Sequence, residues 1–345
     1  MDWPTTLARL SSRMDLSREE SRLAMEAVMN GEASPAQIAA LIVAWRMKGE
    51  TTDEMTGMTE AIRAAAVPID GSLDRDQIVD VVGTGGDLAG TFNISTAAAF
   101  VAAGAGARIA KHGNRSVSSR CGSADVLEGL GVVIDLPMEA NLALLDETGF
   151  AFFYAPLYHP SFRHAGPVRR ELGIRTIFNF LGPLANPAGA RRQAVGVSDP
   201  MMAERMIGVL ERLGSIYSFV FCGEGGIDEI VPTGPTVIHR LKDGELTQAE
   251  FTPEDFGVAR VSIDQLAGGS VEENVAILRS VLEGEEGPRR DAVLVNAAPA
   301  LVAGELASGF VEAVELGRQS IDSGAASSVL DKAIARSQEL GRRDP

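Results

Sequence analysis

Apolar and polar positions alternate along the chain in two distinct textures. Over residues 1–70 the apolar side chains recur at helical spacing. Ile38, Leu41, Ile42 and Trp45 fall at i, i+3, i+4 and i+7, and Met55, Met58 and Ile62 share one face. SREE (Ser17 to Glu20) and SPAQ (Ser34 to Gln37) have the form of a capping box, with Pro35 at a first helical position. TTDE, beginning at Thr51, opens a further helix, which Pro68 and Gly71 end. The Met and Trp residues read as helix–helix core or subunit contact.

From Ile78 the pattern changes to short continuous apolar runs. These are IVDVV (78–82), ARIAK (107–111), GVVID (131–135), FAFFYAP (150–156), QAVGV (193–197) and YSFVFC (217–222). Each reads as a strand buried on both faces, as in a parallel sheet. Helical segments such as Pro137 to Thr148 and Pro200 to Leu213 lie between them. Strand–helix alternation predicts an α/β fold with a central, mostly parallel sheet flanked by helices. Ligands of such sheets bind beyond the carboxyl ends of the strands. SVEENVAILRSVLEG carries a capping box at Ser270, and further helices are expected up to Gly341. Gly223 to Pro235 and Leu241 to Phe256 read as loops or edge hairpins.

Composition narrows the class. A chain of 345 residues with 45% hydrophobic content can bury a substantial core. No apolar run approaches the ~20 residues that span a bilayer. MDWPTTLARL lacks a basic region followed by an apolar core, so no signal peptide is expected, and two distant cysteines suit a cytoplasmic protein. A net charge of −16 disfavours nucleic acid and anionic membranes as partners. Between Ala105 and Val195, however, ten Lys/Arg outnumber seven Asp/Glu, and three of the four histidines fall there. A locally positive stretch in an acidic protein points to a small anionic substrate.

Four blocks carry the candidate chemistry. The first, DVVGTGGDLAGTFNIST (Asp80 to Thr96), matches neither the dinucleotide nor the Walker spacing: Leu88 stands where a glycine is needed, and the loop holds no lysine. Gly83, Gly85 and Gly86 still permit close backbone approach and a nest of N–H groups for phosphate oxygens. Asn93, Ser95 and Thr96 are cap types at a helix start, where free N–H groups favour an anion. Asp87 makes sense if a cation or sugar hydroxyls share the site. The second block, KHGNRSVSSRCGSADVLEGLG (Lys111 to Gly131), interleaves Lys111 and Arg115 with Asn114, Ser116, Ser118, Ser119 and Ser123, as a pyrophosphate cradle would. The third, Tyr158 to Pro187, mixes His159, Arg163, Arg169 and Arg175 with Phe178, Phe180 and proline turns, where a cation could hold an aromatic carboxylate. The fourth, GGIDEIVP, places Asp228 and Glu229 directly after a strand. Paired carboxylate oxygens suit Mg²⁺ shared with substrate phosphates. Four histidines and two scattered cysteines argue against zinc.

In this order GTGGD, NIST, KHGNRSVSS, GSADVLE, RTIFN, LGPL and the Asp-Glu pair resemble the anthranilate phosphoribosyltransferase family. GEASPAQIAALIVAWRMKGET is similar to that family's helical domain. The resemblance implies a helical domain over residues 1–70, with a contribution from about 165–190, an α/β domain over 75–341, and a homodimer formed through the helical parts. It implies transfer of the phosphoribosyl group of phosphoribosyl pyrophosphate (PRPP) to the amine of anthranilate, with Mg²⁺. Gly83, Gly86, Asp87, Thr91, Asn93, Ile94, Ser95, Thr96, Lys111, His112, Gly113, Asn114, Arg115, Ser116, Val117, Ser118, Ser119 and Ser123 would then bind PRPP. Ser95, Asp228 and Glu229 would hold Mg²⁺. Gly83, Asn114 and Arg169 would contact anthranilate, with His112, His159 and Pro183 lining its path. Arg120 stands where lysine is the more frequent residue, and Ala185 where threonine is common. A pyrimidine nucleoside phosphorylase shares the fold and the D-x-L-E helix seen here in ADVLE, but needs no Asp-Glu metal pair. A non-catalytic, nucleic-acid-binding relative would want a basic face.

Overall fold

The computed structural model describes residues 1–69, 73–116 and 120–342. It begins with helices α1 (Trp3–Ser11), α2 (Arg18–Met29), α3 (Pro35–Lys48) and α4 (Thr52–Ala64). Ser17, Ser34 and Thr51 cap α2, α3 and α4, and each has its Glu or Gln partner three residues on, completing a capping box. At Gly57 a β-carbon would lie 2.0 Å from the Arg18 carbonyl oxygen, so the close crossing of α2 and α4 requires glycine. Glu54 is fully buried. It accepts from Leu16 N at 3.0 Å, Trp45 Nε1 at 3.3 Å and Lys48 Nζ at 2.8 Å, which offsets the cost of burying its charge.

Strands and helices then alternate: β1 (Ile78–Gly83), α5 (Ile94–Gly104), β2 (Arg108–Gly113), α6 (Ser123–Leu130), α7 (Met138–Thr148) and β3 (Phe150–Tyr154). Three short helices follow, α8 (Ala155–Tyr158), α9 (Gly166–Leu172) and α10 (Phe178–Leu181). Next come β4 (Arg192–Gly196), α11 (Pro200–Arg212), β5 (Tyr217–Gly223), β6 (Thr236–Lys242) and β7 (Glu245–Phe251). Helices α12 (Val271–Leu282), α13 (Pro288–Ala303), α14 (Phe310–Asp322) and α15 (Ala325–Gly341) close the chain. Among the described residues the sheet has seven strands in the order β3-β2-β1-β4-β5-β6-β7. The five from β3 to β5 are parallel, and β6 and β7 form an antiparallel edge hairpin.

Strand alternation assigns each side chain to a core. Val79 and Val81 of β1 and Phe219 and Phe221 of β5 pack with α5 and the C-terminal helices. Val82, Val195 and Val220 point to the other face, where they meet α1–α4, α11 and the segment from Ala165 to Ala185. The β1 and β4 side chains on this second face include two buried polar residues in register, Asp80 and Gln193. The chain leaves β1 to build one side of the sheet and returns at β4 to build the other. The crevice beyond the carboxyl ends of β1 and β4 is therefore a topological switch point, the expected place for a ligand.

One expected strand is absent. The run GVVID continues from the left-handed Gly131 as an extended segment with no strand partner. Val132, Ile134 and Leu136 are buried, and Val133 N–H donates to Ser337 of α15. The run is apolar because a helix covers it. Leu241 to Phe256 supplies the outer part of the edge hairpin, and Gly223 to Pro235 is a loop. No helix among the described residues is long and apolar enough to cross a membrane.

Candidate active site

The loop after β1 meets the loop after β5 at the switch point. Gly85, Gly86 and Gly90 take left-handed φ of +68°, +74° and +68°, which keeps the backbone tightly coiled. Gly83 is needed for space, because a β-carbon there would lie 2.5 Å from Asp228 Oδ2. The Gly85 N–H donates to that oxygen at 2.5 Å. Glu229 Oε1 accepts from the Ser95 N–H at 3.1 Å, at the start of α5. Asn93 occupies the N-cap but makes no capping bond. Its side chain instead ties Cys121 O at 3.1 Å to Asn274 at 3.0 Å, leaving the first turn of α5 open to Glu229. Lys111, 2% exposed, donates to Val81 O at 2.5 Å and to Ser95 Oγ at 3.3 Å. Ile94 lies in the core, Thr96 Oγ1 is buried without a partner among the described residues, and Thr91 bridges to Ala267.

The charges here do not balance. Burial raises Asp228 above the usual carboxylate range, and the adjacent Asp87 raises it further. Burial and Asp228 together push Glu229 well up. Burial lowers Lys111, and Asp80, Glu229 and Asp228 partly offset this. Four carboxylates, Asp80, Asp87, Asp228 and Glu229, surround one lysine, an arrangement that a divalent cation would relieve. Among the described residues no group of three His, Cys, Asp or Glu forms a self-sufficient metal cage. Two carboxylates and a hydroxyl that need further oxygens from a ligand fit Mg²⁺ bound with phosphate.

The loop after β2 forms the second wall. Gly113 admits Ser123, whose Oγ would be 2.4 Å from a β-carbon there. Asn114 O accepts from Ser123 Oγ and Ala124 N, each at 3.2 Å, so the loop closes onto the start of α6. Asn114 Oδ1 takes the Arg115 N–H at 2.7 Å, which leaves its side-chain amide as a donor. Arg115 turns its guanidinium to Glu128, to Asp125 at 3.0 Å and over the Tyr154 ring at 5.7 Å. Asp125 also receives Ser116 N at 3.1 Å and Gly122 N at 2.8 Å. Val117, Ser118 and Ser119 lie outside the described residues.

An aromatic line leads away from β2. The rings of His112 and His159 are 5.2 Å apart, Phe162 stands edge-on to His159 at 5.8 Å, and Phe178 edge-on to Phe162 at 5.9 Å. Arg169 lies 5.1 Å over Phe178, and among the described residues its guanidinium has no acidic partner. Burial lowers its pKa, as expected of a cation that lacks its anion. Burial pushes His112 down to about 3 and His159 down to about 4, so both rings are neutral at pH 7. Successive carbonyls of the turn from Gly182 are each held by a side chain from a different part of the fold. Gln193 Nε2 donates to Pro183 O at 3.0 Å, Arg63 Nε to Leu184 O at 2.8 Å, and His159 Nε2 bonds Ala185 O at 2.8 Å. The Gly182 carbonyl faces His112, whose Nε2 is buried with no hydrogen-bond partner among the described residues.

An anthranilate phosphoribosyltransferase of Moorella thermoacetica is 51% identical over 329 residues, covering 95% of this chain and 96% of the relative. The chain belongs to the anthranilate phosphoribosyltransferase family. The model of the "Glycosyl transferase family, a/b domain" matches residues 75–327, and that of the family's helical bundle domain matches residues 4–66. The crystal structure of the Thermus thermophilus family member superposes with a TM-score of 0.91 at 41% identity, covering 98% of this chain and 100% of the other. The Saccharomyces cerevisiae member, solved in complex with PRPP and Mg, gives a TM-score of 0.89 at 26% identity, with 98% of each chain covered.

Sequence reasoning passed over several residues that shape this site. Asp80 accepts the His112 N–H at 3.0 Å and, like Gln193, is fully buried beneath the turn from Gly182. An acidic residue inside the apolar run IVDVV was the available signal. Arg63 carried no signal, since its target is a backbone carbonyl 121 positions away. By sequence, Arg175 is one of the cations that could hold a carboxylate. Its guanidinium is instead committed to Gly85, Gly86 and Ser198.

Proposed function

We propose that this chain transfers the 5-phosphoribosyl group of PRPP to the amine of anthranilate in tryptophan biosynthesis, releasing pyrophosphate, with Mg²⁺ as its metal. One observation carries the reading. The Asp228–Glu229 doublet meets the glycine loop through Gly85 N–H and the start of α5 through Ser95 N–H, so carboxylates and anion-binding donors share one crevice. Ser95, Asp228 and Glu229 would hold Mg²⁺, which supplies charge neutralisation for the departing diphosphate when bound. The residues of the glycine loop (Gly83, Gly86, Asp87, Thr91) and of the α5 start (Asn93 to Thr96) would bind PRPP, with Lys111 to Ser119 and Ser123. Arg115 contributes through the loop shape that its α6 pairing maintains. The unpaired Arg169 would take the anthranilate carboxylate, and Asn114, Gly83, His112, His159 and Pro183 would line the acceptor path.

The bond from ribose C1′ to the pyrophosphate oxygen breaks, the C1′–N bond forms, and the amine loses a proton. An aromatic amine is already a neutral nucleophile, so positioning and electrostatic stabilisation of the leaving group carry most of the rate. Burial keeps the His112 ring neutral at pH 7, so it adds no charge to the acceptor path.

Two domains accompany this reading: a helical one over residues 1–70 with about 165–190, and an α/β one over 75–341. Ala165, Val168 and Phe178 pack with α1–α4, in a cluster that also takes in Val82, Val195 and Val220 of the sheet. Dimerisation through the helical part is supported by Met14, Leu23 and Met47, which are exposed apolar residues on its surface. Sedimentation of wild type and Met47→Glu tests it. The two buried cysteines, Cys121 and Cys222, suit a cytoplasmic location, which cell fractionation would check.

The central test is an assay of purified protein with anthranilate and PRPP, with and without EDTA. Metal-dependent loss of anthranilate fluorescence supports the reading. Equal turnover under chelation rejects the metal role, and no turnover with metal present rejects the reaction.

A further inference from the structure

Arg175 stands at the joint between the two halves of the site. Its Nη1 donates to Gly86 O at 3.0 Å, and its Nη2 to Gly85 O at 3.2 Å and to Ser198 Oγ at 2.6 Å. The guanidinium lies 5.4 Å from the Phe180 ring centroid. Ser198 is itself fixed, because its N–H donates to Thr84 Oγ1 at 3.2 Å. The cation therefore packs behind the glycine loop, held through Nη1 and Nη2, while its Nε is buried with no hydrogen-bond partner among the described residues.

The peptide unit explains what this grip does. In a planar trans peptide the carbonyl and the following N–H point in opposite directions. With the Gly85 and Gly86 carbonyls turned onto Arg175, the N–H groups of Gly86 and Asp87 are turned away from it. Neither N–H has a hydrogen-bond partner among the described residues. Successive N–H groups directed to one side form an anion-binding concavity. A cation bonded to the carbonyls also polarises the peptides and strengthens their donors.

We propose that Arg175 is a positioning residue for the diphosphate donor: it grips two carbonyls from behind, so that the Gly86 and Asp87 N–H groups are presented to phosphate oxygens. This rests on the reading of the glycine loop as part of the PRPP site. Arg175 lies in the same segment as Arg169 and Phe178, which belong to the acceptor wall. Its own contacts are with the donor loop, so its loss acts on the donor and not on the acceptor.

The test compares wild type, Arg175→Ala and Arg175→Lys. Calorimetric titration with PRPP in the presence of Mg²⁺ measures donor binding without turnover, and steady-state assays give KM for each substrate. The Ala variant should bind PRPP about tenfold more weakly or worse, the size expected for lost charge-assisted hydrogen bonds. Its KM for anthranilate should change little. Lysine should restore only part of the affinity, because an ammonium cannot bond two carbonyls and a hydroxyl in one plane. Added guanidinium ion should restore PRPP binding to the Ala variant, whereas sodium chloride at equal ionic strength should not. Unchanged PRPP affinity in Arg175→Ala overturns the proposal. So does an equal loss on both substrates with lowered thermal stability that guanidinium does not reverse, which would mark a merely structural residue. Failure of the wild type itself to bind PRPP overturns the underlying reading and this inference together, and is seen before any variant is made.

Discussion

The Gly85 N–H and the Asp228 carboxylate are 2.5 Å apart and 143 positions apart in sequence. This bond joins the phosphate-type loop to the acidic doublet. It also leaves Asp228 beside Asp87, with Glu229 next to it, so the crevice concentrates negative charge where water is excluded.

Removing the doublet's charge should lower activity and raise stability. Both carboxyls have folded-state pKa values above their unfolded values, so ionisation opposes folding. The opposition is absent below the unfolded pKa and complete above the folded one. Asp228→Asn with Glu229→Gln should therefore stabilise the metal-free protein by about 2 kcal/mol at pH 8, and less at pH 5. Urea unfolding at the two pH values reads the difference. A variant that is less stable at pH 8 would show that the carboxylates are not in conflict. Mg²⁺ with PRPP should protect wild type, but not this variant, against thermal unfolding.

Arg169→Ala should raise the anthranilate KM by about 10–100-fold, the size of a lost hydrogen-bonded ion pair. The PRPP KM should move far less, because the guanidinium lies over Phe178 and makes no hydrogen bond to the glycine loop among the described residues. Equal rises in both would remove Arg169 as the carboxylate partner.

Gly196→Ala should cripple the site without touching a functional side chain. A β-carbon there would lie 1.7 Å from the Asp228 carbonyl oxygen, so the loop bearing the doublet must shift. A displacement near 1 Å costs about 100-fold in rate where geometry governs catalysis. Wild-type turnover and magnesium dependence in this variant would show that the doublet's position is not critical.

The histidines should show themselves in acid. Burial depresses His159 to about 4, so the unfolded chain takes up its proton first as pH falls below about 6.5. Stability from the neutral ring is complete above that pH and is lost on the way down to 4. The stability advantage of wild type over His159→Gln should shrink by roughly 2 kcal/mol between pH 7.5 and pH 4.5. An advantage independent of pH would mean that the ring is not buried neutral.

Much of this protein was legible from residues alone, because the relevant physics is local. Ser17, Ser34, Thr51 and Ser270 make caps with partners three residues away, and those helices start where the pattern predicts. Continuous apolar runs mark strands buried on both faces, and five of six such runs are strands. The sixth, GVVID, shows the limit, because apolarity reports burial and not what does the burying. Glycine- and hydroxyl-rich turns, and their order along the chain, marked the two candidate walls of the site. The tertiary structure alone decided which of these pieces meet. It brought Glu229 to the Ser95 N–H across 134 positions, and it used Arg63 and Gln193 as scaffolding for one turn. It also turned Arg175 from a candidate substrate cation into a clamp on two carbonyls. A side chain's type states what it can bond, but only chain topology brings the partner within 3 Å, and no local spacing encodes that distance.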